Sequence, residues 1–158
     1  MIEFLHIILG FLSLISGRFV FFIKKANRKH KLVGRVYVLA MLGLNLTSFG
    51  IYKLFGGWGF FHWMAIASLI PLIAGYIAIR YKNINAHYYF MCWSYIGLLC
   101  ATISEIFVHV PLATLLLNEV AHIDTILMIC LIGSGFYFLP RKEHLYVPKN
   151  NKSQILSK

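Results

Sequence analysis

Four of the seven histidines in this 158-residue chain, His6, His62, His109 and His122, lie in or beside long apolar stretches, and two of them have a carboxylate at helical spacing. Glu105 and His109 form an i, i+4 pair, and Glu119 and His122 an i, i+3 pair, the second being a spacing found in carboxylate-rich metal bundles. Imidazole suits zinc, copper and iron, and a carboxylate one turn away either ligates the ion or orients the ring. His6, His62, His109, His122 and Glu105 together therefore point to a transition metal or a haem b at one membrane face. The plain alternative is that these rings mark a membrane interface, polar tip in water and body in lipid. Spacing alone does not say which helices are neighbours. An ionisable group inside a span is costly, and desolvation favours a protonated Glu105, which would serve a proton-coupled carrier as its relay.

A second layer involves His30 and His87, with Arg18, Arg35 and Arg80 close by in depth. His87 and Glu105 are 18 residues apart, five helical turns, so they share a face about 27 Å apart along the axis. Two such layers are what a membrane cytochrome with two bis-histidine b haems requires. Against this, His30 sits in a Lys-rich loop and His87 near a helix start, where both could be solvated or could meet lipid phosphate.

Those residues must be positioned by membrane helices. The chain is 59% hydrophobic and 13% charged, and its mean hydropathy is +0.74. A soluble domain of this size needs far more polar surface. Residues 36–52, 54–79 and 88–104 contain no Asp, Glu, Lys or Arg, and a span takes about 20 apolar residues. Five spans are expected, at 4–23, 33–54, 60–80, 88–110 and 113–139. Fourteen of the fifteen Lys and Arg fall on one side of that scheme, with only Lys53 on the other; Glu3, Glu105, Glu119 and Asp124 fall opposite, and only Glu143 breaks the acidic pattern. Cytoplasmic loops retain basic residues, so the N-terminus is expected outside and the C-terminus inside. The net charge of +10 is thereby assigned to anionic lipid headgroups on the cytoplasmic face, with no nucleic acid as partner. The first apolar run carries Glu3 and lacks a basic leader, so it reads as a retained span and not a cleaved signal.

Residues 1–140 thus form one transmembrane domain, and 141–158, rich in Lys, Asn and Ser, a basic tail expected to be disordered. Residues 112–124 are either the start of the fifth span or a short surface helix before it. Three spans carry stripes of small or polar residues: His6, Gly10, Ser13 and Gly17 in the first; Ser94, Leu98, Ala101, Glu105 and His109 in the fourth; Asn118, His122, Thr125 and Gly133 in the fifth. Such stripes are where membrane helices touch. Pro71 should kink the third span at the carbonyl of Ala67. Cys92, Cys100 and Cys130 have no paired spacing and read as small hydrophobes.

Three segments carry a family likeness: His30-Lys-Leu-Val-Gly34-Arg35-Val-Tyr37, Gly75-Tyr-Ile-Ala78-Ile-Arg80, and His87-Tyr-Tyr-Phe-Met91-Cys-Trp-Ser94-Tyr95. Over about residues 30 to 111 the chain resembles a family of bacterial multi-pass membrane proteins, domain of unknown function 2306. It departs from the family pattern at Tyr88, where a basic residue is common, and at Phe90, where Trp is common. The resemblance implies a multi-pass topology and marks His30, Gly34, Arg35, Arg80 and His87; it implies no mechanism.

The expectation is therefore an all-α integral membrane bundle of five helices in a bacterial inner membrane. Its outer histidine and carboxylate layer would bind a metal or haem for redox or metal handling. The alternatives are a small proton-coupled carrier using Glu105, or an accessory subunit packed against a membrane protein partner.

Overall fold

The structure, a computed structural model, describes residues 1–25, 27–51, 60–109 and 123–146. The described residues form five α-helices: α1 (Ile2–Phe22), α2 (Arg28–Ser48), α3 (Phe60–Arg80), α4 (Ile84–His109) and α5 (Ile123–Tyr146). Three of them contain stretches long and apolar enough to cross a membrane: Ile2–Phe22, His62–Arg80 and Ile84–Phe107. A shorter apolar stretch, Ile126–Leu139, lies in α5. Helix α2 is different because Arg28, Lys29, Lys31 and Arg35 occupy its first two turns.

The helix ends are set by local chemistry that hydropathy does not report. Asn27 caps α2, its side chain accepting from the Arg28 amide. The helix therefore starts five residues before the apolar run does and ends at Ser48, not 54. Asn83 caps α4 in the same way, accepting from Ala86 N at 3.1 Å, so α4 starts at Ile84 and not at 88. Between α3 and α4 the chain turns in a Schellman motif: Lys82 N donates to Ile79 O, and Asn83 N to Ala78 O. Lys82 takes the left-handed position, with φ at 58°, where glycine is usual. Pro71 lies inside α3, which continues through it.

α1 pairs with α2 and α3 with α4; α2 also packs on α3, α5 on α4, and α1 touches α4 more lightly. The stripes expected on the first and fourth helices face the interior. Ser13 and Ser94 are fully buried, and Gly17 sits against the rings of Tyr95 and Tyr37, where a Cβ would come within 2.5 Å of Tyr95. Large apolar side chains of α1, among them Phe4, Phe11, Phe19 and Phe22, cover the outside. Such a surface is solvated by lipid tails and not by water.

The fifth stripe is a correction. Gly133 is exposed with nothing near it, whereas Gly135 lies under Trp93 and Ile96 of α4, and Leu139 is buried. Two residues on a helix are about 200° apart, so α5 presents the opposite face to its partner. The expected stripe was extended from Asn118 and His122, which lie outside the described residues. A second difference concerns the tail: α5 runs on to Tyr146, so residues 141–146 are helical where composition suggests disorder. Residues 112–122 and 147–158 lie outside the described residues, and with them the question of a separate surface helix.

In mid-bundle, Tyr37, Met41, Leu72 and Leu98 form a buried apolar cluster, with Leu14, Val38, Leu44, Leu69, Met91 and Tyr95 around it. This plug divides the interior into two polar ends.

Candidate functional site

At the first end, one imidazole ties three helices together. His6 is on the first turns of α1, Thr47 on the last turn of α2 and Glu105 near the end of α4. His6 Nδ1 lies 2.9 Å from Thr47 Oγ1, and His6 Nε2 lies 3.1 Å from Glu105 Oε1. The Thr47 hydroxyl has one hydrogen, and it points back to the carbonyls of Gly43 and Leu44, at 3.0 and 2.8 Å. With the hydrogen there, the Thr47 oxygen accepts from a protonated His6 Nδ1. The other contact follows. Either neutral His6 accepts at Nε2 from a protonated Glu105, or an imidazolium donates to a carboxylate. One proton lies between Nε2 and Oε1 in both forms, and the pair's net charge is zero in both. Removing that proton leaves two acceptors face to face, and the contact between α1 and α4 is lost.

His62, on the first turn of α3, is 2% exposed and its ring lies 6.3 Å from that of Phe49, just beyond Thr47. The side chain of His109 and the whole of His122 lie outside the described residues. Among the described residues, no three His, Cys, Asp or Glu converge in a way that could hold a metal ion. Of the five expected members of the outer set, the structure joins His6 to Glu105.

Below this end Asn45 joins α2 to α3. Asn45 donates to Met41 O at 2.8 Å and accepts from Ser68 Oγ at 2.7 Å. Across the plug, Tyr37 Oη and Ser94 Oγ are 3.0 Å apart.

At the second end, a cavity of about 80 Å³ opens among α1, α2 and α4, with Lys25, His30, Tyr37, His87, Cys92 and Tyr95 in its wall. His87 Nδ1 donates to Gly75 O at 2.8 Å, which fixes the tautomer and leaves Nε2 as the open nitrogen. Gly75 makes this approach feasible, since a Cβ there would meet the Met91 sulfur at 2.8 Å. His30 hydrogen-bonds the Val20 backbone, while its Nδ1 is buried without a hydrogen-bond partner. Burial, with Lys25 and His87 adding repulsion, holds the His30 imidazole below the ordinary histidine range. Lys25 donates to Val20 O and Phe21 O, capping the end of α1, and burial lowers its ammonium as well. Arg35 and Arg80, expected with His30 and His87, are exposed and do not line the cavity. Lys25 stands there instead.

Residues 3–138 match the family described as "Predicted membrane protein (DUF2306)". The chain belongs to that family. The DUF2306 match takes in all five helices apart from the ends of α1 and α5, and so both polar ends, including His6, Thr47 and Glu105 outside the three likeness segments. No curated protein matches the chain, and no solved structure does.

Thr47 and Lys25 were not singled out in the sequence. Thr47 looks like any hydroxyl in a span, which commonly bonds its own helix. Lys25 is one of several loop lysines, and its only signal is its position just past the last carbonyls of α1.

Proposed function

We propose that this DUF2306 protein is a small membrane carrier whose cycle is coupled to protons at the His6–Glu105 pair, with the N-terminus outside and the basic end in the cytoplasm. The observation that carries this is the placement of the His6 ring between Thr47 Oγ1 and Glu105 Oε1: with Nδ1 donating to Thr47, one proton is left to share between α1 and α4. With that proton in place, the outer ends of α1 and α4 are tied; without it, the facing lone pairs repel. The apolar plug beneath keeps the proton from passing straight through, as coupling requires. Position-dependent binding of a proton is then translated into helix separation.

The test needs no substrate. Spin labels at Phe4 and Ile106, both on exposed positions, report the distance between the outer ends of α1 and α4 in lipid nanodiscs. The distance should lengthen as pH rises through the titration of the pair, and Glu105→Gln, which keeps a hydrogen-bond donor toward Nε2, should remove the response. A distance that ignores pH in the native chain would overturn the proposal.

A second reading keeps the metal or haem site of His6, His62, His109, His122 and Glu105, and the buried position of His62 at the same end favours it. Metal analysis and an absorbance spectrum of the purified protein separate the two: stoichiometric metal or a reducible Soret band selects the second.

A further inference from the structure

We propose that the cavity at the basic end is a binding site for a phosphate-type oxyanion, held by Lys25, His30 and His87. The site stands apart from the proton pair and does not rest on the carrier reading.

Three cation-capable side chains from three segments meet at one cavity: Lys25 from the α1–α2 loop, His30 from the start of α2 and His87 from the start of α4. No Asp or Glu lines it among the described residues. Without an anion, this arrangement is self-repelling. The His30 nitrogen that has no hydrogen-bond partner is buried, which is unfavourable unless something approaches it. The remaining polar groups in the wall are already engaged. Tyr37 bonds Ser94, Tyr95 donates to Leu14 O at 3.3 Å, and Tyr88 hydrogen-bonds Cys92. The open ring positions therefore belong to the two imidazoles, Nδ1 of His30 and Nε2 of His87.

Size agrees with the chemistry. A cavity of about 80 Å³ is well above the roughly 10–15 Å³ that a single water needs, so there is room for a tetrahedral oxyanion. The rest of the wall, Gly17, Val20, Phe21, Ile84 and Met91, is apolar, and would accept the glycerol or acyl end of an anionic lipid. The phosphate could thus come from a lipid headgroup or from solution.

Binding must draw in protons. An anion beside His30 opposes the repulsion from Lys25 and His87 and favours the imidazolium. The other titratable groups in the cavity wall are Tyr37 from α2 and Cys92, Tyr88 and Tyr95 from α4; none becomes an anion near neutral pH in an apolar wall. Affinity should therefore rise as pH falls toward the ordinary histidine value of about 6.5.

The experiment is thermal unfolding of the full chain in nanodiscs of phosphatidylcholine, with inorganic phosphate added at constant ionic strength, and in nanodiscs containing phosphatidic acid without added phosphate. Stabilisation by inorganic phosphate, stronger at about pH 6 than at about pH 8, assigns the site to a soluble phosphate. Stabilisation by phosphatidic acid alone assigns it to a lipid headgroup. His30→Gln and His87→Gln should each weaken the effect by about tenfold, the loss of one charge-assisted hydrogen bond, and His30→Gln should flatten its pH dependence. If either variant fails to fold, Lys25→Gln serves in its place, because Lys25 lies in a loop. An equal response to chloride, or no response to either phosphate source, would overturn the proposal.

Discussion

Thr47 acts on Glu105 without touching it. Its Oγ1 holds one ring nitrogen of His6 at 2.9 Å, which turns the other, Nε2, toward the carboxyl group of Glu105, 3.1 Å away; with its hydroxyl hydrogen on the Gly43 and Leu44 carbonyls, it takes the His6 proton on Nδ1. A residue on α2 thereby decides how α1 and α4 share a proton.

Thr47→Val keeps the shape and removes the acceptor. It should cost about 1–3 kcal/mol, the penalty of stranding a buried N–H, while Thr47→Ser should cost much less. Unfolding of the two variants in detergent would check this. Equal stability of Thr47→Val and the native chain would mean that His6 is not held by this bond.

Glu105→Gln should leave expression and stability nearly unchanged, since an amide N–H can donate to Nε2, yet abolish any proton-coupled activity. Glu105→Ala should lower stability by about 1–3 kcal/mol, because His6 Nε2 then has lost its partner. Thermal unfolding of both variants, with the spin-label distances, separates the two effects.

Glycine substitutions should divide sharply by position. Gly17→Ala brings a methyl group to 2.5–2.9 Å from the rings of Tyr95 and Tyr37 and should destabilise by about 1–3 kcal/mol or more. Gly34→Ala meets nothing within 4 Å and should stabilise α2 by about 0.5–1 kcal/mol. Unfolding midpoints would show the two moving in opposite directions.

The first and fourth helices were legible because their small and polar residues recur on one face, and His6, Ser13, Gly17, Ser94 and Leu98 lie where that pattern points. The pairing of His6 with Glu105 was not legible, because it joins positions 99 residues apart and depends on which helices are neighbours. The i, i+4 spacing drew attention to His109 beside Glu105; His6, on another helix, lies within hydrogen-bond distance of it, and the His109 side chain is outside the described residues. Helix starts were misjudged where Asn27 and Asn83 cap before the apolar run begins. Gly135 was passed over for Gly133 because the stripe was drawn from Asn118 and His122, which lie outside the described residues.

Stability should also depend on pH through His30. Its imidazole is held below the usual histidine value by burial and by Lys25 and His87, so below about 6.5 the unfolded chain binds the proton that the folded chain resists. The contribution is complete above that value and is lost as pH falls toward the folded value. In phosphatidylcholine without phosphate, the unfolding midpoint should drop on acidification through this window, and His30→Gln should reduce the drop.

Orientation is tested by single cysteines at Asn27 and Gly50, on either side of α2, in a chain whose native cysteines are replaced. An impermeant thiol reagent should reach position 50 from outside intact cells and position 27 only after lysis. Reaction of both from one side would contradict the fold's proposed passage through the membrane.

The most direct test of the proton pair is nitrogen NMR of the protein labelled with ¹⁵N-histidine in lipid bilayers, with the His6 signals assigned by their loss in His6→Gln. Nδ1 should carry a proton at every pH, and the state of Nε2 should change with pH in a way that Glu105→Gln abolishes. A His6 ring with bare Nδ1, or an Nε2 indifferent both to pH and to Glu105→Gln, would contradict it.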